Sequence, residues 1–250
     1  MVTATFRFYG ELNDFLPPAR RKIAFDACCA EDATAKHMIE ALGIPHTEVE
    51  LILVNGQPAG FGHRLAEADR IAVYPKFQAL DIAPLLRLRQ RPPGIPRFVA
   101  DAHLGGLARL LRLAGFDTLY DNRYEDDEIE ALAIREGRIV LSRDLELLKR
   151  RRIDHGCFIR AVEPKAQLRE LAGRQDLVGM ARPFSRCLCC NTALREVAKA
   201  EVLDRLPAAM RTGQARFRTC DGCGWVYWEG SHWRAMRQVL GDTLRARPIR

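Results

Sequence analysis

Residues 97–144 read RFVADAHLGGLARLLRLAGFDTLYDNRYEDDEIEALAIREGRIVLSRD, and the fold class follows from this stretch. A short apolar run stops on Asp101. Leu104, Leu107, Leu110 and Leu111 then recur at helix spacing until Gly115. DTLYD is a second strand-like run ending on Asp121. Glu125-Asp126-Asp127-Glu128 opens a second helix through Ile129, Leu132 and Ala133, and Gly137 ends it. RIVLSRD is a third apolar strand and delivers Asp144. Strand, helix, strand, helix, strand predicts an α/β fold with a parallel sheet, which binds ligands beyond the carboxyl ends of its strands. Asp101, Asp121 and Asp144 stand at those ends. Carboxylates brought together there repel one another, and a bound cation is the physical reason to keep them.

Each acid also has a structural reading. Asp101 can cap a helix beginning at His103, and Ser142 can cap the helix that follows Asp144. Asp126, Asp127 and Glu128 fall in a first helical turn, where carboxylates suit the macrodipole. Asp117 opens a strand rather than closing one and stays outside the set; Glu146 and Glu163 are expected to face solvent, with completion of a metal site by either as the alternative. Past Asp144 the pattern continues with a helix over DLELLKRRR, a strand-like CFIRAV and a helix through Leu168 and Leu171.

The chain has 250 residues, 48% of them hydrophobic, enough for two or three small domains with cores of their own. Lys and Arg number 39 against 32 acidic residues, a net charge of +7, which admits a polyanionic partner. No apolar run approaches a membrane span and no signal-peptide pattern opens the chain, so a cytosolic protein is expected. In that compartment the eight Cys are metal ligands or free thiols rather than a disulfide framework.

The first segment alternates, with Thr3, Thr5, Arg7 and Tyr9 against Ala4, Phe6 and Phe8. A turn over ELNDFLPPARR and a strand over KIAFDA complete a hairpin. Thr34 caps a helix through Met38, Ile39 and Leu42 that ends at Gly43; VELILVNGQPAG is broken by the turn pair Asn55-Gly56, and DRIAVYPKF is a last strand. This is a β-grasp order. Cys28 and Cys29 are adjacent, poor geometry for one shared metal, and read as thiols. Pro84, Pro92, Pro93, Gly94 and Pro96 among several Arg mark a stiff basic linker over 81–96.

Near the C-terminus, CLCC holds Cys187-x-x-Cys190 and CDGC holds Cys220-x-x-Cys223, two knuckles that supply four thiolates for a tetrahedral, closed and therefore structural Zn²⁺ site. Cys189 is the odd thiol, with a substitution for Cys190 open on sequence alone. Between the knuckles a helical pattern runs from Val197 to Leu206. Trp225, Tyr227, Trp228 and Trp233 either pack the knuckle unit or stack on bases, packing being the commoner fate.

The runs FRFYGELNDFLP, GIPHTEVELILVNG and DRIAVYP resemble the ubiquitin-like domain that precedes Mut-7-type C-terminal RNase domains and, more distantly, the small sulfur-carrier proteins. Carriers need a terminal Gly-Gly for activation; the corresponding end here reads KFQALDIAP, which speaks for an interaction or scaffold module open to a protein partner. FVADAHLGGLARLLRLAGFDTLYDN, DDEIEALAIREGRIVLSRD and AQLREL resemble the Mut-7-type C-terminal RNase domain, a variant of the PIN nuclease fold, and WVYWEGSHWRAM resembles its zinc-ribbon tail. The resemblance implies a β-grasp domain over 1–80, the linker, a PIN-like three-layer parallel-sheet nuclease domain over 97–180, and a zinc ribbon with its tail over 181–250. It implies that Asp101, Asp126 or its neighbour Asp127, and Asp144 hold Mg²⁺ or Mn²⁺; Ser142 stands where many relatives carry Thr and keeps the hydroxyl. The expected activity is metal-dependent hydrolysis of RNA. Arg109, Arg112, Arg143 and the Lys149-Arg150-Arg151-Arg152 run are the candidate phosphate contacts, a solvated helix end being the plainer account of that run. The rivals are a non-catalytic RNA-binding adaptor and a protein whose working part is the β-grasp domain.

Overall fold

The computed structural model describes residues 1–77, 85, 87–89, 94–212 and 216–245. Most of the 81–96 linker, and the KFQALDIAP end beyond residue 77, lie outside the described residues. The chain forms two compact units, Met1–Pro93 with Asp126–Phe158, and Gly94–Glu125 with Ile159–Arg250.

In the first unit, β1 (Val2–Phe8) and β2 (Ala24–Cys29) form the antiparallel hairpin, bridged by two short 3-10 turns. Helix α1 (Ala35–Ala41) starts where Thr34 accepts a hydrogen bond from the His37 N–H. Strands β3 (Leu51–Val54) and β4 (Gln57–Ala59) turn at Asn55 and Gly56, whose φ values of 51° and 82° are those of a type I′ hairpin. Strand β5 (Arg70–Tyr74) runs parallel to β1 and antiparallel to β3, so the sheet order is β2-β1-β5-β3-β4, a β-grasp. Alternation decides which face is buried: Ala4, Phe6 and Phe8 enter a core with Leu12, Ile39, Ile44, Ile52, Ile71 and Val73. Cys29 is buried and Cys28 exposed, as neighbours on one strand should be.

The same unit holds α3 (Asp126–Glu136), β8 (Ile139–Ser142), α4 (Leu145–Lys149) and β9 (Gly156–Phe158), with β8 and β9 paired in parallel. Helix α4 stops at Lys149, so the arginines expected to continue it lie beyond its end. The β-grasp domain meets this segment through a buried polar turn. His46 Nε2 lies 2.8 Å from the Ile153 carbonyl, its Nδ1 is 2.7 Å from Glu40 Oε1, and Thr47 Oγ1 donates to the Leu148 carbonyl at 3.3 Å. Glu48 accepts from the Phe158 N–H. Arg89 is half-buried and donates to the carbonyls of His46, Thr47 and Val49; desolvation there lowers its pKa to about 10. A Cβ on Gly156 would come within 3.1 Å of Thr47 Cβ, so a side chain there would wedge the seat apart.

In the second unit, β6 (Phe98–Ala100) pairs in parallel with β7 (Thr118–Leu119), and α2 (Gly105–Ala114) lies between them in sequence. DTLYD thus yields a strand of only two residues. Helix α2 packs on α5 (Pro164–Ala172), burying Leu104, Leu107, Leu111, Leu168 and Leu171. Strands β10 (Leu194–Val197), β11 (Phe217–Cys220) and β12 (Val226–Trp228) form an antiparallel ribbon over Val202, Leu206, Phe217 and Val226. The expected helix from Val197 to Leu206 is shorter: Val197 ends β10, α6 covers Lys199–Val202, and a 3-10 turn covers Leu203–Arg205. The chain then folds into α7 (Ser231–Arg245), a 15-residue helix packed on α5 and α2. Among the described residues no helix is long and apolar enough to cross a membrane.

Gly115 ends α2 at φ 94°, and the Arg182 N–H donates to the Ala114 carbonyl beside it. A Cβ at Gly115 would sit 2.1 Å from the Arg182 carbonyl oxygen, backbone that has no flexible end to swing away. Gly115→Ala is therefore expected to lower stability by about 2 kcal/mol or more, measured as a fall in the denaturant midpoint with the slope unchanged.

Candidate functional site

The two knuckles converge. The sulfurs of Cys187, Cys190, Cys220 and Cys223 all lie within 4.8 Å of one another, with Cys187 and Cys223 at 3.5 Å and Cys190 and Cys220 at 3.3 Å. A tetrahedral Zn²⁺ with bonds of about 2.3 Å sets sulfur–sulfur edges of about 3.8 Å, so this set can close on one ion with small adjustments. Each knuckle is a tight turn: the Asn191 N–H donates to the Cys187 carbonyl and the Gly224 N–H to the Cys220 carbonyl. Burial first, then the Cys190 sulfur, push the Cys220 thiol up, and burial with the sulfurs of Cys187, Cys190 and Cys220 does the same to Cys223. Burial also opposes ionisation of Cys190, but contacts with Thr192 prevail and lower its thiol to about 6. Four sulfurs this close cannot all ionise unless a cation sits among them. Cys189 is exposed and outside the cluster, as the knuckle spacing predicts.

Sequence reasoning missed how this centre is anchored. Arg112, expected among the phosphate contacts, is 6% exposed and donates to the carbonyls of Thr118, Leu188 and Cys189. It is a structural tie between α2, β7 and the first knuckle. Asn191 adds a second tie: its Oδ1 accepts from the Thr118 N–H at 3.0 Å and its Nδ2 donates to Asp117 Oδ1 at 2.7 Å. Asp117 also pairs with Arg186 at 3.3 Å. The available signal was the φ of 69° at Asn191, a conformation that Asn tolerates best after Gly and that an Asn directly after a knuckle announces.

Among the expected metal-binding acids, Asp101 belongs to one unit and Asp126, Asp127 and Asp144 to the other. Asp101 is 6% exposed at the end of β6 and caps the following 3-10 turn, its Oδ1 accepting from the His103 N–H at 2.8 Å. Asp144, not Ser142, caps α4: its Oδ1 accepts from the Glu146 N–H, while its own N–H donates to the buried Ser142 hydroxyl, both at 2.8 Å. Asp126 and Asp127 open α3, and both meet Arg150, which also reaches Glu130 at 3.1 Å. Those hydrogen bonds push the Arg150 pKa up. Asp121 lies past the end of β7, where side-chain and backbone hydrogen bonds from Arg123 hold its carboxyl at about 2. Of the remaining candidate cations, Arg109, Arg143 and Arg151 are exposed, and Lys149 pairs with Glu146 at 2.9 Å.

The Asn191 tie can be tested without disturbing its backbone, because Gly accepts the same φ. Asn191→Gly should cost about 1–3 kcal/mol for the two lost bonds and the Thr118 N–H left unpaired. Thermal unfolding beside an Ala193→Gly control, at an exposed position two residues further on, checks this.

Compared with known families, residues 96–240 match the Mut7-C RNAse domain and residues 1–81 match Mut7-C ubiquitin. No curated protein matches the chain. Two solved structures are similar: H. volcanii small archaeal modifier protein 1 at 19% identity, and SAMP1 from Haloferax volcanii at 18%. They cover 30% and 31% of this chain and 98% of their own, each with a TM-score of 0.25. The RNAse-domain match spans more than half of the chain and takes in Asp101, Asp126, Asp144 and all four knuckle cysteines, and the protein accordingly belongs to the Mut7-C RNAse domain family, with a Mut7-C ubiquitin domain ahead of it.

Proposed function

We propose that the protein is a ribonuclease that hydrolyses RNA phosphodiesters with Mg²⁺ or Mn²⁺ held by Asp101, Asp126 or Asp127, and Asp144, and that Cys187, Cys190, Cys220 and Cys223 hold a structural Zn²⁺. The observation that carries the reading is the Ser142-Arg143-Asp144 turn inside the RNAse-domain match. The Ser142 hydroxyl and the Glu146 N–H fix Asp144 from two sides, immediately past the end of β8. A carboxylate that caps with one oxygen can offer the other to a hard cation, and an all-oxygen donor set suits Mg²⁺ or Mn²⁺ rather than Zn²⁺. Bound there, such an ion supplies an acidified water and offsets charge on the phosphodiester. Arg109, Arg143, Lys149 and Arg151 are the proposed phosphate contacts. RNA is the proposed substrate, and a protein partner for the β-grasp domain is a separate proposal that rests on its family.

A second reading, a non-catalytic RNA-binding adaptor, draws on Arg150. Its pairing with Asp126, Asp127 and Glu130 already neutralises acids that a nuclease would present to a cation. The two readings separate on activity.

Protein purified without chelator should carry one equivalent of zinc by elemental analysis. Cys220→Ala should lose it together with the fold of the ribbon, and Cys189→Ala should keep it. In single-turnover cleavage of a labelled RNA, Asp144→Asn should cut roughly 100-fold or more slowly than the parent while binding RNA at least as well. EDTA should abolish cleavage, and added Mg²⁺ or Mn²⁺ should restore it. Cleavage that survives both EDTA and Asp144→Asn excludes the metal site. A parent that binds RNA and cuts none with either ion is the adaptor.

A further inference from the structure

Two adjoining cavities lie within the second unit. One, of about 620 Å³, is walled by Trp225, Tyr227, Trp228, Trp233 and Met236. The other, of about 730 Å³, has Lys165 and Arg169 on its wall, with Glu163 its one acid. Arg109, Leu188 and Met236 line both, which makes them a continuous groove with an aromatic end and a cationic end. Both volumes fall within the range of sites that enclose ligands, about 300–1,000 Å³.

Trp228 packs against the ribbon, but Trp225 is not explained by packing of the ribbon. The ribbon core is Val202, Leu206, Phe217 and Val226, while Trp225 is 60% exposed. An indole left in water forgoes much of the stabilisation that burial would give it. The backbone of Trp225 is fixed, its carbonyl accepting from the Cys220 N–H of the second knuckle. Trp233 is fixed by stacking on Phe184, with centroids 3.4 Å apart and planes 15° apart. Tyr227 donates nothing to the groove; its hydroxyl is occupied by Cys187 Sγ at 3.2 Å and the Leu188 N–H at 3.0 Å. The groove therefore presents aromatic faces on a fixed backbone, followed by the exposed cations Arg109, Lys165 and Arg169.

We propose that this groove binds single-stranded RNA, stacking bases on Trp225 and its neighbouring indoles and holding the following phosphates at Arg109, Lys165 and Arg169. Aromatic platforms that lead into a cationic track are how proteins hold single strands with little regard to sequence. An apolar peptide would match the aromatic end but leave three cations facing nothing. A duplex would match the cations but keep its base faces stacked out of reach. The net charge of +7 is on the side of a polyanion. The inference rests on the ribonuclease reading for its choice of RNA and specifies where that substrate is gripped.

The test is fluorescence anisotropy with full-length Asp144→Asn protein, so that the strand is not cut, and a labelled oligouridine of about 12 nucleotides. Trp225→Ala should weaken binding about ten-fold or more, and Trp225→Phe should restore most of it. An abasic strand of the same length should bind as weakly as oligouridine binds to Trp225→Ala. Arg109→Gln and Lys165→Gln should each reduce the slope of log affinity against log salt by about 0.7. Zinc content equal to the parent's verifies that the ribbon is intact. Equal affinity of Trp225→Ala and its parent for oligouridine overturns the proposal. So does equal affinity for abasic and base-bearing strands, or tighter binding of a duplex or an apolar peptide. A groove that passes in a protein that never cleaves RNA refutes the ribonuclease reading alone; cleavage with binding indifferent to Trp225 refutes the groove alone.

Discussion

A guanidinium buried against three backbone carbonyls is the constraint on which the second unit depends. Arg112 is the one cation of α2 that faces inward, and it is bonded to the carbonyls of Thr118, Leu188 and Cys189. Burying a charge is costly unless its hydrogen bonds are met, so the interaction works in one geometry only. Helix α2, the short strand β7 and the first knuckle must all be in place before the charge is satisfied. Asn191 closes the same junction from the other side through Thr118 and Asp117. The position of the cysteine cluster against the helix is thus set by polar bonds, and a metal ion in the cluster would stabilise a junction that is already specified.

The first unit solves a related problem with a different residue. Four acids lie close along α3, and Arg150 gathers three of them: Asp126, Asp127 and Glu130. Within a charged surface such pairs contribute little to stability, because solvent screens them and long side chains lose freedom. Their effect is on local charge. A divalent cation that took Asp126 or Asp127 would displace Arg150 from its partner, and the released guanidinium would stand beside a site that has just gained positive charge.

How much of this was legible depended on whether the signal was local. Alternation in Thr3–Tyr9, the Asn55-Gly56 pair, the Thr34 cap and the glycines at 115 and 137 each act through neighbours in sequence, and each predicted its element. The paired knuckles were legible because thiolate spacing is itself the geometry of the site. Three things escaped. Arg112 looks like any surface arginine until the chain brings Leu188 and Cys189 to it across 76 and 77 residues. Val197, which ends a ribbon strand, was read as the start of the helix to Leu206 because a short ribbon strand carries too few residues for alternation to outweigh helix spacing nearby. Helix α7 was missed because Trp233, Met236, Val239 and Leu240 keep helix spacing beside a glycine-rich turn that reads as tail. Its burial is tertiary: the stripe becomes meaningful only against α5 and α2.

The seat of the β-grasp domain bears on what that domain is for. His46, Thr47 and Glu48 are polar residues that a free-standing module would keep in water, yet each is less than 6% exposed and each bonds to the segment Leu148–Phe158. Without that segment, a histidine, a hydroxyl and a carboxylate would face solvent together with the carbonyls that Arg89 serves. Without the β-grasp turn, the Ile153 carbonyl and the Phe158 N–H would lose their partners, at about 1–3 kcal/mol for each group left buried and unpaired. The dependence runs both ways, and it reaches β9, the strand that pairs with the one delivering Asp144. A domain that supplies hydrogen bonds to the edge of the nuclease segment acts as a scaffold within its own chain. That role needs no Gly-Gly terminus.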